Sequence, residues 1–207
     1  MPANTTRGYP YPLPTEPVAE GAQAIRNLAE AVDGKEAIVR LFDVNLAAPA
    51  ANIDLTSIPQ TYSHLRLYLM LKSTDAAALV VANMQMNGIT TALYHSQQLS
   101  GAAGTPGATG LVGTTVGKLG NVSGGTLLAS NLCPVTVDFL HYRDANVNYR
   151  PWISHWFRLS GGTVATDIDT GQMGGMLNLG AAINRITILP GAGQWAANCR
   201  ATLYGLR

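Results

Sequence analysis

Alternation of apolar and polar residues is the feature of this sequence that most limits its possible folds. In the segment 64–72, HLRLYLMLK, leucine occupies every second position from 65 to 71. A repeat of two residues is that of a β-strand with one buried face, whereas a helix repeats every three to four residues. The segment therefore predicts a strand of an antiparallel sheet whose leucine face lies on a core.

Similar short segments recur from residue 38 onward, separated by turn residues. Asn87-Gly88 is a strong turn signal after the segment 79–86, so residues 90–99 are expected to return antiparallel to it. Further strands are expected at residues 38–44, 126–132, 135–143, 149–159, 171–179, 183–189 and 197–206. About eight to ten short strands with regular turns predict an all-β antiparallel β-sandwich, with the jelly roll as the best single topology.

Two glycine-rich stretches interrupt this pattern. Residues 100–125 include nine glycines with mostly small residues between them, and we expect a long loop or short, weak strands at the periphery. Residues 191–198 separate the last two expected strands, and we expect these strands to form a hairpin that closes the fold. The chain would then end in a strand held by ladder hydrogen bonds.

Residues 1–34 differ in character from the rest of the chain. The prolines of the segment 8–14, GYPYPLP, favour an extended, polyproline-like arm. A short α-helix is expected to follow, with Thr15 as its N-cap and Asp33-Gly34 at its end. We therefore divide the chain into an N-terminal arm and helix, residues 1–34, and a jelly-roll β-sandwich domain, residues 35–207.

The expected helix carries one narrow apolar stripe, formed by residues three and four positions apart. An isolated helix of about four to five turns is marginal in water, so the stripe must pack on its own domain, on a copy of itself or on another protein. We predict that the arm and helix serve attachment to another protein or oligomerisation. The residues predicted for this role are Tyr9, Tyr11, Val18, Ile25, Leu28 and Val32.

Charged residues are scarce in this chain, and their scarcity limits the classes of partner that the chain could bind. Asp, Glu, Lys and Arg make up 12% of the residues, about half the usual share, and the net charge is +1. No basic run exists that would neutralise a row of phosphates, and no stretch approaches the roughly 20 apolar residues of a membrane span. We therefore expect no nucleic-acid partner and no membrane insertion, and we expect uncharged surface to be covered by other subunits.

The N-terminus and the cysteines both indicate a protein that is made in the cytoplasm. The first seven residues have no apolar core, so a secretory signal is not expected. Cys133 and Cys199 belong to no Cys-x-x-Cys pair. In a reducing compartment we expect two buried thiols rather than a disulfide.

Several segments resemble those of tail fibre and minor tail proteins of tailed phages. Residues 57–67, SIPQTYSHLRL, resemble the motif that opens a strand in many of these proteins. The N-terminal segments 9–12, 17–22 and 28–33 are similar to a leading segment that is associated there with attachment to the virion. Further similar segments are 85–88, 135–149, 183–188 and 203–206. The resemblance thus extends over nearly the whole chain.

This resemblance implies a jelly-roll structural protein of the virion, often a homotrimer, which is exposed for host attachment and assembled in the host cytoplasm. The partners it implies are further copies of the chain, other virion proteins of the tail, baseplate or capsid, and a host surface glycan. It carries over no catalytic residue, so we predict neither an enzyme nor a cofactor. Similar segments would recur in a capsid decoration or head-fibre protein that binds and stabilises the phage head, and this alternative stays open.

Neither the histidines nor the acidic residues form a recognisable catalytic or metal-binding motif. No two of the four histidines have the spacing of metal ligands on a strand or a helix. Asp167 and Asp169 share one face of a strand or loop, where they could bind Ca²⁺ or act as a glycosidase pair. We favour a solvated loop, because their glycine-rich neighbours supply no further oxygen ligands.

The tryptophans are the candidate contact residues of the sandwich domain. Trp152 and Trp156 share one face of an expected strand. Ile153 and Phe157 share the other face, which we assign to the core. The two tryptophans are then expected to lie against a neighbouring subunit or to contact a ligand such as a sugar ring. Trp195, in the closing loop, is expected at the rim of the core or in a similar contact.

Overall fold

The structure of the chain, a computed structural model, contains two compact units. One unit comprises residues 1–39 with residue 207, and the other comprises residues 40–206. The residues that the structure describes are 3–4, 10–11, 18–33, 37–102, 105–128, 130–144, 146, 148–159 and 168–207.

One helix and fourteen strands are assigned within the described residues. The first elements are β1 Ala3–Asn4, β2 Pro10–Tyr11 and α1 Val18–Asp33. They are followed by β3 Ile38–Asn45, β4 Ile53–Leu55, β5 His64–Leu71, β6 Leu79–Met86, β7 Tyr94–Ala102, β8 Thr105–Thr114, β9 Gly117–Ser123, β10 Cys133–Phe139, β11 Arg150–Leu159, β12 Ile168–Leu177, β13 Ile186–Pro190 and β14 Arg200–Leu206. The helix ends at Asp33 as predicted, whereas its predicted N-cap, Thr15, lies outside the described residues.

Two antiparallel sheets form a sandwich, and their strand order is that of a jelly roll. The larger sheet runs β3-β14-β5-β10-β11-β12-β7-β8, and the smaller sheet runs β4-β13-β6-β9. When the inserted pairs β7-β8 and β11-β12 are set aside, each sheet has four strands. These eight strands have the double Greek-key order of a jelly roll. The predicted all-β antiparallel sandwich with jelly-roll topology is therefore confirmed.

The core lies between the two sheets and is lined by every second residue of their strands. The four leucines of β5, at positions 65, 67, 69 and 71, are at most 2% exposed, which confirms the predicted buried face of this strand. Each buried side chain of this size contributes about 1.5–3 kcal/mol through the apolar area that it removes from water. Other buried residues of the two sheets are Ile53, Val80, Met84, Val137, Phe139, Ile186, Ile188 and Leu203.

The Asn87-Gly88 turn is present, but the predicted return of the chain along β6 is wrong. Both turn residues have positive φ, 53° and 69°, as a tight turn of this kind requires. The Asn87 side chain binds the loop before β13, since its amide donates to Ala182 O at 2.8 Å and its oxygen accepts from Asn184 N at 2.9 Å. Both edges of β6 are already occupied by β13 and β9, so β7 crosses to the larger sheet.

The glycine-rich stretch 100–125 contains more regular structure than predicted. It supplies the end of β7, the whole of β8 at the edge of the larger sheet, and β9 of the smaller sheet. β8 and β9 are both edge strands of their sheets, in keeping with the expected peripheral position, but β9 is largely buried. The strand predicted at 126–132 is wrong, because the described residues there form turns and irregular backbone. The carbonyls of Leu127 and Leu128 accept hydrogen bonds from Lys72 Nζ and not from a neighbouring strand.

The last two strands do not form the predicted closing hairpin. β13 pairs with β4 and β6 in the smaller sheet, whereas β14 lies between β3 and β5 in the larger sheet. The loop between them therefore crosses from one sheet to the other. The last strand is nevertheless held in a sheet by ladder hydrogen bonds, as predicted.

Candidate functional site

The inner and outer faces of β11 are the reverse of those predicted. Trp152 and Trp156 are 1% and 2% exposed and point into the sandwich, as does Ser154 between them. Ile153 and Phe157 lie on the outer face. The prediction that the two tryptophans contact a neighbouring subunit or a ligand is therefore wrong, because the chain itself covers both rings.

Glycines beside the two rings explain why the tryptophans fit inside. Trp152 pairs with Gly175 across the β11–β12 ladder. Trp156 pairs with Gly171 in the same ladder. A Cβ atom at Gly175 would lie 2.2 Å from Trp152 Cζ2, and one at Gly120 would lie 2.1 Å from Trp156 Cδ1. Absence of these side chains leaves room for the indoles. The two tryptophans are four residues apart, and so are the two glycines that face them, Gly171 and Gly175. This shared spacing is the sequence signal that the prediction missed.

Trp195 is also part of the interior and not a contact residue. Its side chain is fully buried, and the indole Nε1 donates to Ile188 O at 3.0 Å. Its backbone exchanges two hydrogen bonds with Ala50, at 2.8 and 3.0 Å. Trp195 thus anchors the loop that crosses between the sheets, and the predicted contact role is wrong.

The structure places Asp169 in a buried ion pair. Arg158 Nε donates to Asp169 Oδ2 at 2.7 Å, and the two side chains are 7% and 4% exposed. The expected solvated loop is therefore wrong at this residue. Its carboxylate is engaged inside the sandwich, where neither a glycosidase reaction nor a Ca²⁺ site is accessible. Asp167 lies outside the described residues.

Two further basic side chains are buried and serve structural roles. Arg150 Nε donates to Ala181 O at 2.8 Å and thereby holds the segment after β12. Lys72 Nζ donates to two backbone carbonyls at 2.5 and 2.6 Å, and burial lowers the pKa of this lysine because desolvation disfavours the ammonium. The free thiols of Cys133 and Cys199 are buried, as predicted, and burial raises the pKa of both.

Two histidines that lie far apart in sequence meet at one end of the sandwich. The rings of His64 and His141 pack edge to face with centroids 4.8 Å apart, and His64 Nδ1 accepts a hydrogen bond from His141 N at 3.1 Å. Ser63, Arg143 and Asp144 complete a polar depression of about 450 Å³. In the part of the chain that the structure describes, no group of three or more His, Cys, Asp or Glu side chains could hold a metal ion.

A surface groove with a glycine floor lies over β12, β7 and β8, on the outer face of the larger sheet. Gly174, Gln97 and Gly110 form one row across these three strands. A Cβ atom at Gly174 would have no neighbouring atom within 4 Å, so the backbone is accessible there. The row borders two depressions with volumes of about 590 and 490 Å³. We call the two depressions together the outer groove.

The described side chains around the outer groove are apolar or polar and include one histidine, His95. The first depression is lined by residues that include Gln97, Leu99, Ala108 and Gln172. The second is lined by residues that include His95, Val112, Tyr149, Pro151 and Met176. Among the described residues, no Lys, Arg, Asp or Glu lines either depression. Further along the same row of the sheet, Arg66 Nε donates to Asp138 Oδ1 at 2.6 Å, so these two charges neutralise each other.

Two amide side chains in the outer groove are free to bind a ligand. Gln97 and Gln172 lie on the same face of neighbouring strands, diagonally across the ladder. Neither side-chain amide makes a hydrogen bond within the described part of the chain. An amide offers both a donor and an acceptor, so the groove presents polar groups of both kinds without net charge.

The predicted attachment residues of the N-terminal unit are partly described. Ile25 of α1 is 64% exposed, and Leu28 is half-buried. An exposed isoleucine on an amphipathic helix leaves the predicted attachment or oligomerisation role open. The structure does not describe the side chains of four other predicted residues, which are Tyr9, Tyr11, Val18 and Val32.

No protein-family model, curated protein or solved structure matches this chain. Among the described residues, no helix is both long enough and apolar enough to cross a membrane.

Proposed function

We propose that this chain is a structural protein of a tailed-phage particle, a tail fibre or minor tail component that contributes to host-surface attachment. In this proposal the N-terminal unit joins the chain to other virion proteins. The jelly-roll body is exposed and binds the host surface. The resemblance of the N-terminal and strand segments to tail proteins supports this assignment, and the jelly-roll topology is consistent with it.

The observation that carries the proposal is the position of the outer groove on the inserted strands. β7, β8, β11 and β12 widen one sheet beyond the four strands that a jelly roll requires. Their inner face is filled by buried side chains such as Trp152 and Trp156, whereas their outer face forms an accessible groove. A surface of this kind suits recognition of a partner better than enclosure of a reacting substrate.

Oligomerisation through the N-terminal unit would strengthen such a surface contact. Ile25 is a large apolar residue of α1 that is 64% exposed, and its burial against another copy would remove apolar area from water. Three copies held together would bind a repetitive host surface far more tightly than one copy, because the second and third contacts become intramolecular. We therefore include a homotrimer in the proposal.

Gold-labelled antibodies against the purified chain test its place in the particle. Intact particles of the phage that encodes the chain are labelled and viewed by negative-stain electron microscopy, with antibody pre-absorbed on the pure protein as the control. The proposal predicts gold on the tails. Gold on the heads would replace it with the capsid decoration or head-fibre alternative, and unlabelled particles that also lack the chain by mass spectrometry would contradict both.

Light scattering coupled to gel filtration tests the trimer. The proposal predicts a mass about three times the 21.8 kDa of one chain and a lower mass for Ile25→Asp. Gln23→Asp introduces the same charge at an exposed position outside the predicted stripe and should leave the mass unchanged. A wild-type monomer at every concentration tested would remove the trimer from the proposal.

A further inference from the structure

We propose that the outer groove binds a neutral saccharide. This inference rests on the proposed attachment function and names the class of ligand that the jelly-roll body would recognise. Three independent features of the groove support it: its lack of charge, its free amides and its glycine floor.

The lack of charge excludes a ligand that depends on ion pairing. A phosphate, carboxylate or ammonium group needs an opposite charge to compensate for its desolvation. No Lys, Arg, Asp or Glu side chain among the described residues lines the groove, and the nearby Arg66 and Asp138 are paired with each other. The one histidine of the lining, His95, accepts a hydrogen bond from Gly113 N at its Nδ1 atom. The ligand is therefore neutral.

The free amides select a ligand that both donates and accepts hydrogen bonds. Gln97 and Gln172 lie diagonally across the β7–β12 ladder, a spacing of about 7–8 Å between backbone positions. Hydroxyl groups each offer one donor and two acceptor lone pairs, so adjacent hydroxyls on one ring match such amides. Gln97 lines both depressions and would contact a ligand in either.

The floor and the apolar wall match the remaining surface of a sugar ring. Without a side chain at Gly174, one face of a sugar ring can approach the strand backbone directly. Tyr149 is 49% exposed and Met176 is 40% exposed on the same side of the groove. A tyrosine ring provides an apolar surface on which the C–H face of a sugar can pack, with a hydroxyl at its edge.

Filling the groove tests the proposal without disturbing the fold. Gly174→Val places a branched side chain in open space on a strand, where such residues are favoured. Gly101→Val is the matched control, because Gly101 is also a strand glycine with no atom within 4 Å of its Cβ position and lies outside the groove. Thermal unfolding of both variants verifies that they fold.

Saturation-transfer NMR on the full chain measures the binding. The probes are methyl glycosides of glucose, galactose, mannose, rhamnose and N-acetylglucosamine, with glucuronic acid as the charged comparison. We expect transfer to at least one neutral glycoside for the wild type and Gly101→Val, and a reduction of at least about tenfold for Gly174→Val. Gln97→Met, which keeps the shape of the side chain but removes its amide, should weaken the same signal.

Three results would overturn the inference. The first is no saturation transfer to any neutral glycoside, and the second is equal transfer to Gly174→Val and to the wild type. The third is a change of oligomeric mass in Gly174→Val, which would show that a second copy covers the groove. The outcome is separable from that of the antibody labelling. If the antibodies label tails but the chain binds no glycoside, only the saccharide site is contradicted. If the chain binds a glycoside but is absent from particles, only the virion role is contradicted.

Discussion

Replacing Gly175 with alanine should destabilise the sandwich, because the added methyl enters the space of the Trp152 ring. The new Cβ atom would lie 2.2 Å from Cζ2 and 2.5 Å from Cε2 of the indole. Carbon atoms in contact need about 3.5–4.0 Å, so the ring would have to move by more than about 1 Å. The ring has little freedom to do so, since it is 1% exposed and its Nε1 donates to Lys118 O at 3.2 Å.

Overpacking of this kind costs about 1–3 kcal/mol of unfolding free energy. Each kcal/mol corresponds to a fall of about 2–4 °C in Tm for a chain of this size. Urea unfolding followed by far-UV circular dichroism measures the free energy directly. Gly174→Ala is the matched control. Gly174 precedes Gly175 on the same strand, and a Cβ atom there would point outward with no atom within 4 Å. Its change should stay within about 0.5 kcal/mol.

A double-mutant cycle with Trp152→Phe attributes the cost to the ring. Phenylalanine lacks the indole atoms that the new methyl would meet, so Gly175→Ala should cost at least about 1 kcal/mol less in that background. Equal costs in both backgrounds would refute the placement of Trp152 over Gly175. The same conclusion would follow if Gly175→Ala were as stable as Gly174→Ala.

Three further predictions concern the buried and paired groups. Asp169→Ala leaves Arg158 buried without its partner and should cost about 3–5 kcal/mol in urea unfolding, and a loss below about 1 kcal/mol would contradict the buried pair. Cys133 and Cys199 should react with a thiol reagent only at the rate of unfolding, because they are buried and their pKa values are raised; fast labelling of native protein would show otherwise. Arg185 donates two hydrogen bonds to the Asp54 carboxylate, at 2.8 and 2.6 Å, and these bonds are the largest cause of the lowered pKa of Asp54. The contribution of this carboxylate to stability is therefore present above the unfolded-state pKa of about 4 and is lost as the pH falls through the lower folded-state value. Asp54→Asn should therefore lose stability at pH 7, and this loss should become smaller as the pH falls below about 4; a loss that stays the same at every pH would contradict the shift.

The period-two pattern was sufficient for strands in which only one face is apolar. In β5 four leucines alternate with larger or polar residues, so both the strand and its buried face follow from the sequence. In β11 both faces contain large apolar residues, and alternation separates the faces without showing which is inner. The choice depends on glycines of β12 that have the same four-residue spacing as Trp152 and Trp156, and the register places these glycines opposite the two rings.

For a related reason, the local sequence pattern could not predict which strands pair with each other. The Asn87-Gly88 turn forms as its residues require, but both edges of β6 are taken by strands distant in sequence. The outer groove likewise depends on long-range pairing, since Gln97 and Gln172 become neighbours only through the β7–β12 ladder. Segment 100–125 shows the converse: glycines that suggest a loop instead leave room for indole rings, as Gly120 does for Trp156.

Competition for adsorption tests the proposed attachment function most directly. Particles of the phage to whose tail we assign the chain in this proposal are mixed with host cells in the presence of increasing concentrations of the purified full chain, and unadsorbed particles are counted over time. We predict that the adsorption rate falls with the concentration of the chain and that Gly174→Val competes less well than Gly101→Val. An adsorption rate that stays unchanged at the highest concentration of folded protein would contradict a role in host attachment.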